Sequence, residues 1–222
     1  MRIPESIDLV ATRLARAQLN ETEDAVRQAI LRAFVRSGTS PSVSDLTTLL
    51  PGLPPEEVTH VCRRLAENDL IVWEEEAHRI KSAYPFSGPP TAHVVHLKGG
   101  PTVFALCAVD ALGMPVMLNR GADIESRCAH CLTPLKVTVT SQGLDRFHPE
   151  ASLVWFPLAA DVCSPVAESR CPDINFFCST EHLDAWRYAT GRSNGLLMTM
   201  AEAFEAGREI FGSLLAPGEA AT

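Results

Sequence analysis

The sequence predicts an α+β protein in two parts: a winged-helix-like helical domain over residues 1–87, then a mixed α/β domain with antiparallel strands over residues 88–222. Three observations carry this. The first third holds helix-period patterns followed by two short strand patterns. The stretch SGPP at 87–90 is a natural break, and beyond it short apolar runs separated by turn residues dominate.

In chain order, EDAVRQAILRAFVRSG places Val26, Ile30, Leu31 and Phe34 on one face, with Gly38 as a stop signal. SVSDLTTLLPG reads as a short helix, capped by Ser44 or Asp45 and ended by Pro51-Gly52. PPEEVTHVCRRLAENDL has proline at its start, acids in its first turn, and Val58, Val61, Cys62 and Leu65 spaced for burial. IVWEEEAHRIKSAYPFS reads as two short strands joined by a charged turn. TAHVVHL, KGGP and TVFAL form a hairpin that feeds a helix beginning at CAVDAL. LKVTVTSQG, ASLVWFPL and DINFFCS are strand candidates. STEHLDAWRYATG is a helix capped by Ser179 or Thr180 and stopped by Gly191. LLMTMAEAFEAGREIFGSLL reads as one long amphipathic helix.

A winged helix raises the question of DNA. The recognition-helix pattern carries Glu56, Glu57 and Glu67 against Arg63 and Arg64, and its first turn is acidic. The chain has a formal net charge of −8 and a pI near 5.4. Both disfavour nucleic acid and anionic membranes, which call for cationic surface. No apolar run approaches the roughly 18–20 residues of a membrane span. No signal peptide is visible, so the expected location is the cytoplasm. Seven cysteines, an odd number, in a reducing compartment do not suggest a disulfide framework.

Three cysteine-bearing stretches could carry chemistry. FALCAVDALGMP (104–115) puts Cys107 and Asp110 on one face at a helix start, in an apolar run. A helix N-terminus lowers a thiol's pKa, whereas a neighbouring carboxylate raises it, and a shared proton is the compromise. SRCAHCLTPL has Cys128 and Cys131 in C-x-x-C spacing, which is half a zinc site or a dithiol pair. Its further ligands would come from His130, Cys163, Cys171 or Cys178. In ESRCPDINFFCSTEHLDAW, Cys171 and Cys178 flank an apolar segment, and Pro172 implies a turn at Cys171. Burial as small apolar residues is the alternative for every one of these thiols.

These motifs together, FALCAVDALGMP, SRCAHCLTPL, ASLVWFPLAADVCSPVAESRC and INFFCS, resemble the organomercurial (alkylmercury) lyases. The resemblance implies a winged-helix-like region followed by a mixed α/β catalytic domain. It also implies cleavage of the carbon–mercury bond, in mercury resistance and detoxification. Cys107 and Cys171 match the family's two mercury-binding catalytic cysteines, and Asp110 its catalytic aspartate and a further mercury contact. Cys128 matches a cysteine usually given a structural role, whereas Cys131 and Cys178 depart from the family pattern. The implied partners are an organomercurial, cytosolic thiols and a mercuric reductase, with no resident cofactor.

The chemistry fits. Thiolate is the softest protein ligand and mercury(II) a soft cation, so two thiolates can hold mercury while an acid protonates the leaving carbon. A non-catalytic thiolate metal-binding protein on the same fold, using Cys128, Cys131, Cys171 and Cys178, is the alternative. A metal-sensing winged-helix regulator is a third reading.

Overall fold

Helix caps set the N-terminal third. The computed structural model describes residues 9–158 and 165–215, and Cys163 lies outside them. Four helices come first: α1 (Val10–Ala17), α2 (Glu21–Ser37), α3 (Val43–Leu49) and α4 (Pro55–Glu67). At the start of α2, the Asn20 side chain accepts the Glu23 N–H and the Glu23 carboxylate accepts the Asn20 N–H, each at 2.9 Å. At its end, the Gly38 N–H reaches the Phe34 carbonyl at 2.8 Å, with Gly38 at φ +79°. A Cβ there would also lie 2.6 Å from the Thr102 carbonyl oxygen, so glycine is required twice over. Helix α3 is capped by Ser42, not by Ser44 or Asp45. Asp45 sits at the third helical position, where its carboxylate returns a hydrogen bond to the Ser42 N–H at 2.8 Å.

Strands β1 (Ile71–Glu74), β2 (Arg79–Ala83), β3 (Phe86–Ser87), β4 (Val94–Leu97) and β5 (Thr102–Ala105) precede helix α5 (Ala108–Met117). Then follow β6 (Ala122–Arg127), β7 (Pro134–Thr140), β8 (Gly143–His148) and β9 (Leu153–Pro157). An antiparallel sheet of eight strands runs β1-β2-β3-β5-β4-β6-β7-β8. It continues across the expected break at 87–90 without interruption. Three of its strands escape the sequence pattern, the first being the two-residue β3, a third strand in a stretch that reads as two. In β6, Ala122, Ile124 and Ser126 alternate inward, but Asp123, Glu125 and Ser126 mask the period. Strand β8 has no fully buried residue, so its sequence carries no apolar signal.

The chain ends with α6 (Val166–Ser169), a 3-10 turn (Cys171–Asp173), β10 (Asn175–Phe177), α7 (Thr180–Thr190), β11 (Gly195–Thr199) and α8 (Met200–Phe211). The expected single C-terminal helix divides here. Gly195–Thr199 is a strand paired to β9 in a three-stranded sheet, β10-β9-β11. The Thr199 side chain then caps α8 through the Glu202 N–H, and Glu202 returns the bond. An apolar run such as Gly-Leu-Leu-Met fits either state, and the open edge of β9 decides it.

Helix α5 is the centre of the molecule. Every residue in it except Val116 is buried. It packs on the large sheet and on α8. The α5–α8 crossing is backbone-close: a Cβ at Gly207 would meet the Gly113 nitrogen and the Val109 carbonyl oxygen, both at 2.9 Å. No helix among the described residues is long and apolar enough to cross a membrane.

Gly207→Ala should therefore push α8 off α5. Overpacking of this kind costs about 1–3 kcal/mol. A thermal melt should show a Tm several degrees lower; an unchanged Tm would show that the crossing has slack.

Candidate active site

The side chains of Cys107, Asp110 and Cys171 converge, their ligand atoms within 4.8 Å of one another. Each is almost fully buried, at 2%, 3% and 4% exposure. Cys107 is the N-cap of α5, and its Sγ accepts the Asp110 N–H at 3.4 Å. Asp110 sits in the first turn and turns its carboxylate inward. Cys171 opens the 3-10 turn after α6, and its thiol donates toward Asp110 Oδ2 at 3.9 Å. The Ala108 N–H is bonded to the Ile174 carbonyl at 3.0 Å, which couples the α5 start to the Cys171 turn.

Burial sets the protonation of the trio. Loss of solvation pushes the Asp110 carboxyl up to about 7, against the hydrogen bond from Cys107 that favours its charge. Loss of solvation, joined by the hydrogen bond to Cys171 and the Asp110 charge, raises Cys107 well above an ordinary thiol. Of the two opposing influences expected, helix terminus and Asp110, the raising one prevails, because burial adds to it. At Cys171, the hydrogen bond from Cys107 favours the thiolate; burial and Asp110 oppose it and leave a net rise. Cys107 thus holds its proton against Cys171.

Residues from the first 87 positions brace the Cys171 segment. The Asp69 carboxylate accepts from the Tyr84 hydroxyl at 2.8 Å and from the Val166 N–H at 3.2 Å. The Tyr84 oxygen accepts the Ala167 N–H at 2.7 Å. Arg13 is 2% exposed; it pairs with Asp69 at 3.4 Å and lies over the Tyr84 ring, 4.8 Å from its centroid. The sequence pattern points to none of Arg13, Asp69 and Tyr84, because nothing local marks them as neighbours of Cys171.

Two spaces meet the site. One is a cavity of about 40 Å3 walled by Val109, Phe156, Ile174, Ile210 and Phe211. The other is a cleft of about 490 Å3 reaching Cys171 past Lys81, His93, Pro172 and Asn175. Cys171 borders both. His93 is buried, with Nδ1 2.9 Å from Ser126 Oγ, and loss of solvation lowers its pKa to about 4, so it is a neutral ring. Asn175 donates to the Pro172 carbonyl at 2.6 Å.

The remaining thiols separate into other settings. Cys62 lies in the core of α4, and burial pushes its thiol up to about 12. Cys128, Cys131 and Cys178 form a second cluster away from the trio, joined by His182, which the sequence reading did not single out. Its signal was present in the Cys178-x-x-x-His182 spacing.

A family model described as alkylmercury lyase matches residues 86–212. Among curated proteins, the chain is 25% identical to an alkylmercury lyase of Bacillus cereus over 178 residues, covering 80% of this chain and 77% of that one. It is 26% identical to an alkylmercury lyase of Staphylococcus epidermidis over 201 residues, covering 87% and 88%. Its fold is similar to the crystal structure of the mercury-bound form of MerB2, with a TM-score of 0.76 and 30% identity, covering 93% of this chain and 97% of that one.

The raised Asp110 carboxyl has a consequence for stability. A folded-state value of about 7 against an ordinary 3.8 means that the folded chain keeps this proton longer than the unfolded chain. Stability from Asp110 is then full below about pH 4 and lost as pH rises through about 7, on the order of 4 kcal/mol. Asp110→Asn removes the titration. Urea unfolding of both proteins should show the wild type losing ground to the variant between pH 5 and pH 8. A pH-independent difference would place the carboxyl in a wetter setting.

Proposed function

Because this chain belongs to the alkylmercury lyase family, we propose that it cleaves the carbon–mercury bond of organomercurials by protonolysis at Cys107, Asp110 and Cys171, releasing a hydrocarbon and Hg(II). The observation that carries the proposal is a carboxyl group sharing one dry pocket with two thiols. A thiolate metal store has no use for a buried carboxyl; a protonolysis does.

The steps follow from the protonation order. An organomercurial arrives as its adduct with a small cytosolic thiol. Cys171, whose thiolate Cys107 favours, attacks mercury and displaces that thiolate, which leaves as the free thiol carrying the Cys171 proton. The Cys107 thiol passes its proton to the Asp110 carboxylate and binds mercury as a second thiolate. The added electron density weakens the carbon–mercury bond. Asp110 then gives its proton to the carbon, the hydrocarbon leaves, and a Hg(II) dithiolate remains. Two external thiols, or a mercuric reductase, take the Hg(II) and reset both cysteines. Mercury enters as substrate and leaves as product, so the chemical step needs no resident cofactor. Holding the three groups in place replaces a multi-body encounter, and such ordering is worth on the order of 7–11 kcal/mol in favourable cases.

The cleft is the route for the thiol adduct, and the small apolar cavity suits a methyl substituent, which has no polar atoms to satisfy, while a phenyl group would extend into the cleft. We read α2–α4 with β1 and β2 as a winged-helix-like unit used for packing, in a cytoplasmic protein without a nucleic-acid or membrane role. Both arginines of α4 that could face a phosphate are engaged, Arg63 with Glu75 at 2.5 Å and Arg64 with Glu23 at 3.0 Å.

Reduced protein with methylmercury and excess small thiol should release methane, measured by headspace gas chromatography. Cys107→Ala should abolish release. Asp110→Ala should lower turnover by about 10²–10⁴-fold, the usual worth of a general acid, while retaining bound mercury. Mercury bound by the wild type with no methane from methylmercury and no benzene from phenylmercury would overturn the proposal in favour of a non-catalytic thiolate protein.

A further inference from the structure

Outside the candidate active site, four side chains bring their donor atoms into one cluster. Cys128 and Cys131 come from the turn between β6 and β7. Cys178 and His182 come from the junction of β10 and α7. Cys131 Sγ and Cys178 Sγ are 3.6 Å apart, and Cys178 Sγ is 2.9 Å from His182 Nδ1. All four donor atoms lie within 4.8 Å of one another.

The 3.6 Å sulfur–sulfur separation matches an edge of a coordination tetrahedron, and the shorter 2.9 Å sulfur–nitrogen contact is a hydrogen bond that an ion would replace by opening the pair by roughly 0.6 Å. An ion bonded at about 2.3 Å to sulfur and about 2.0–2.1 Å to imidazole nitrogen keeps its ligands roughly 3.5–3.8 Å apart. A disulfide would need sulfurs at about 2.05 Å, far shorter than the 3.6 Å between Cys131 and Cys178.

The backbone is prepared for such a role. The Cys128 carbonyl accepts the Leu132 N–H at 2.9 Å, and the Cys128 N–H reaches the Thr133 carbonyl at 2.9 Å, closing a tight loop that brings both cysteines to one side. Leu132 is held at φ +63° in that loop. The Ala129 N–H bonds to the Phe176 carbonyl at 3.0 Å, which docks the loop beside β10. Ser179 caps α7 and sets the phase that turns His182 back over Cys178. Cys128 is buried, whereas Cys131 is exposed and the other two partly so, which leaves an entry path from solvent.

We propose that Cys128, Cys131, Cys178 and His182 form a tetrahedral zinc site that fastens the β6–β7 loop to the start of α7. Three thiolates with one imidazole are a closed structural donor set, and mixed sulfur–nitrogen tetrahedra select zinc among the common cellular cations. The trio at Cys107 differs in kind. It has no imidazole, it holds a carboxyl group, and it opens toward substrate-sized space. The zinc site also pins the far end of the short segment that begins at Cys171, seven residues before Cys178.

Protein purified without chelator should carry one zinc per chain by elemental mass spectrometry. Cobalt(II) exchanged for zinc should give the sulfur-to-metal charge-transfer and tetrahedral ligand-field bands of a thiolate site. Cys131→Ser, at an exposed position, should weaken zinc binding by at least about tenfold, the loss that even outer-shell changes cause. His182→Cys should keep the metal in a four-thiolate set. Cys107→Ala should keep it as well, which separates this site from the active site whatever the outcome of the methane assay. Chelation should lower the Tm of the wild type.

A folded wild type without zinc that shows no thiolate bands with cobalt would overturn the proposal. So would a Cys131–Cys178 disulfide in freshly purified protein, or zinc lost from Cys107→Ala but kept by Cys131→Ser. Should Cys131→Ser fail to fold, the wild-type cobalt spectrum and the Cys107→Ala metal content still decide.

Discussion

The structure depends on keeping a carboxyl group and two thiols out of water. Asp110 can sit beside Cys107 and Cys171 only because each group partly satisfies the others and because loss of solvation keeps protons on the site. In water the three would ionise independently and lose their order. The dryness comes from α5, which is buried on nearly every side and begins at the site itself. Its close crossing with α8 at Gly113 and Gly207 brings Ile210 and Phe211 to the wall of the cavity. The packing of the core and the protonation of the site are therefore one constraint.

The N-terminal third is tied into that constraint. Arg13, Asp69 and Tyr84 are far from Cys171 in sequence, yet they hold the backbone of α6 just before it. Burial keeps the Tyr84 hydroxyl protonated, so it acts as a fixed link between Asp69 and Ala167. The eight-stranded sheet runs through both parts of the chain. Residues of this third, Val10, Arg13 and Tyr84, line the cavity beside Cys107 and Cys171, while Arg63 and Arg64 of α4 are paired with Glu75 and Glu23.

The thiols are sorted by their surroundings. Cys62 is surrounded by apolar side chains and is inert packing. Cys107 and Cys171 share a carboxyl group in a dry pocket. Cys128, Cys131 and Cys178 meet a histidine near the surface. The same atom type thus serves as filler, as nucleophile in the proposed lyase reaction, and as a donor in the proposed zinc site. The short β10 strand separates the last two settings; the Ala108 N–H holds the carbonyl of Ile174 just before it, and the Ala129 N–H that of Phe176 at its middle.

The sequence by itself made legible helices α2, α3, α4 and α7, the strands β1, β2, β4, β5, β7, β9 and β10, the helix after Cys107 and the α+β class, but not α1. Each rests on local periodicity, a cap or a stop residue, which act within a few positions. It also marked Cys107, Asp110 and Cys171, through motif resemblance. Tertiary structure alone decided that Cys107 and Cys171 meet across 64 positions of chain, since no local signal encodes a long-range contact. It decided that 195–199 is a strand, because the edge of β9 was open to pair with it. It resolved the opposing influences on Cys107 toward a raised pKa, because burial is a property of the whole fold and adds to the Asp110 charge. And it completed the half-motif at Cys128 and Cys131 with Cys178 and His182, ligands that only the docking of a loop against β10 could bring within reach.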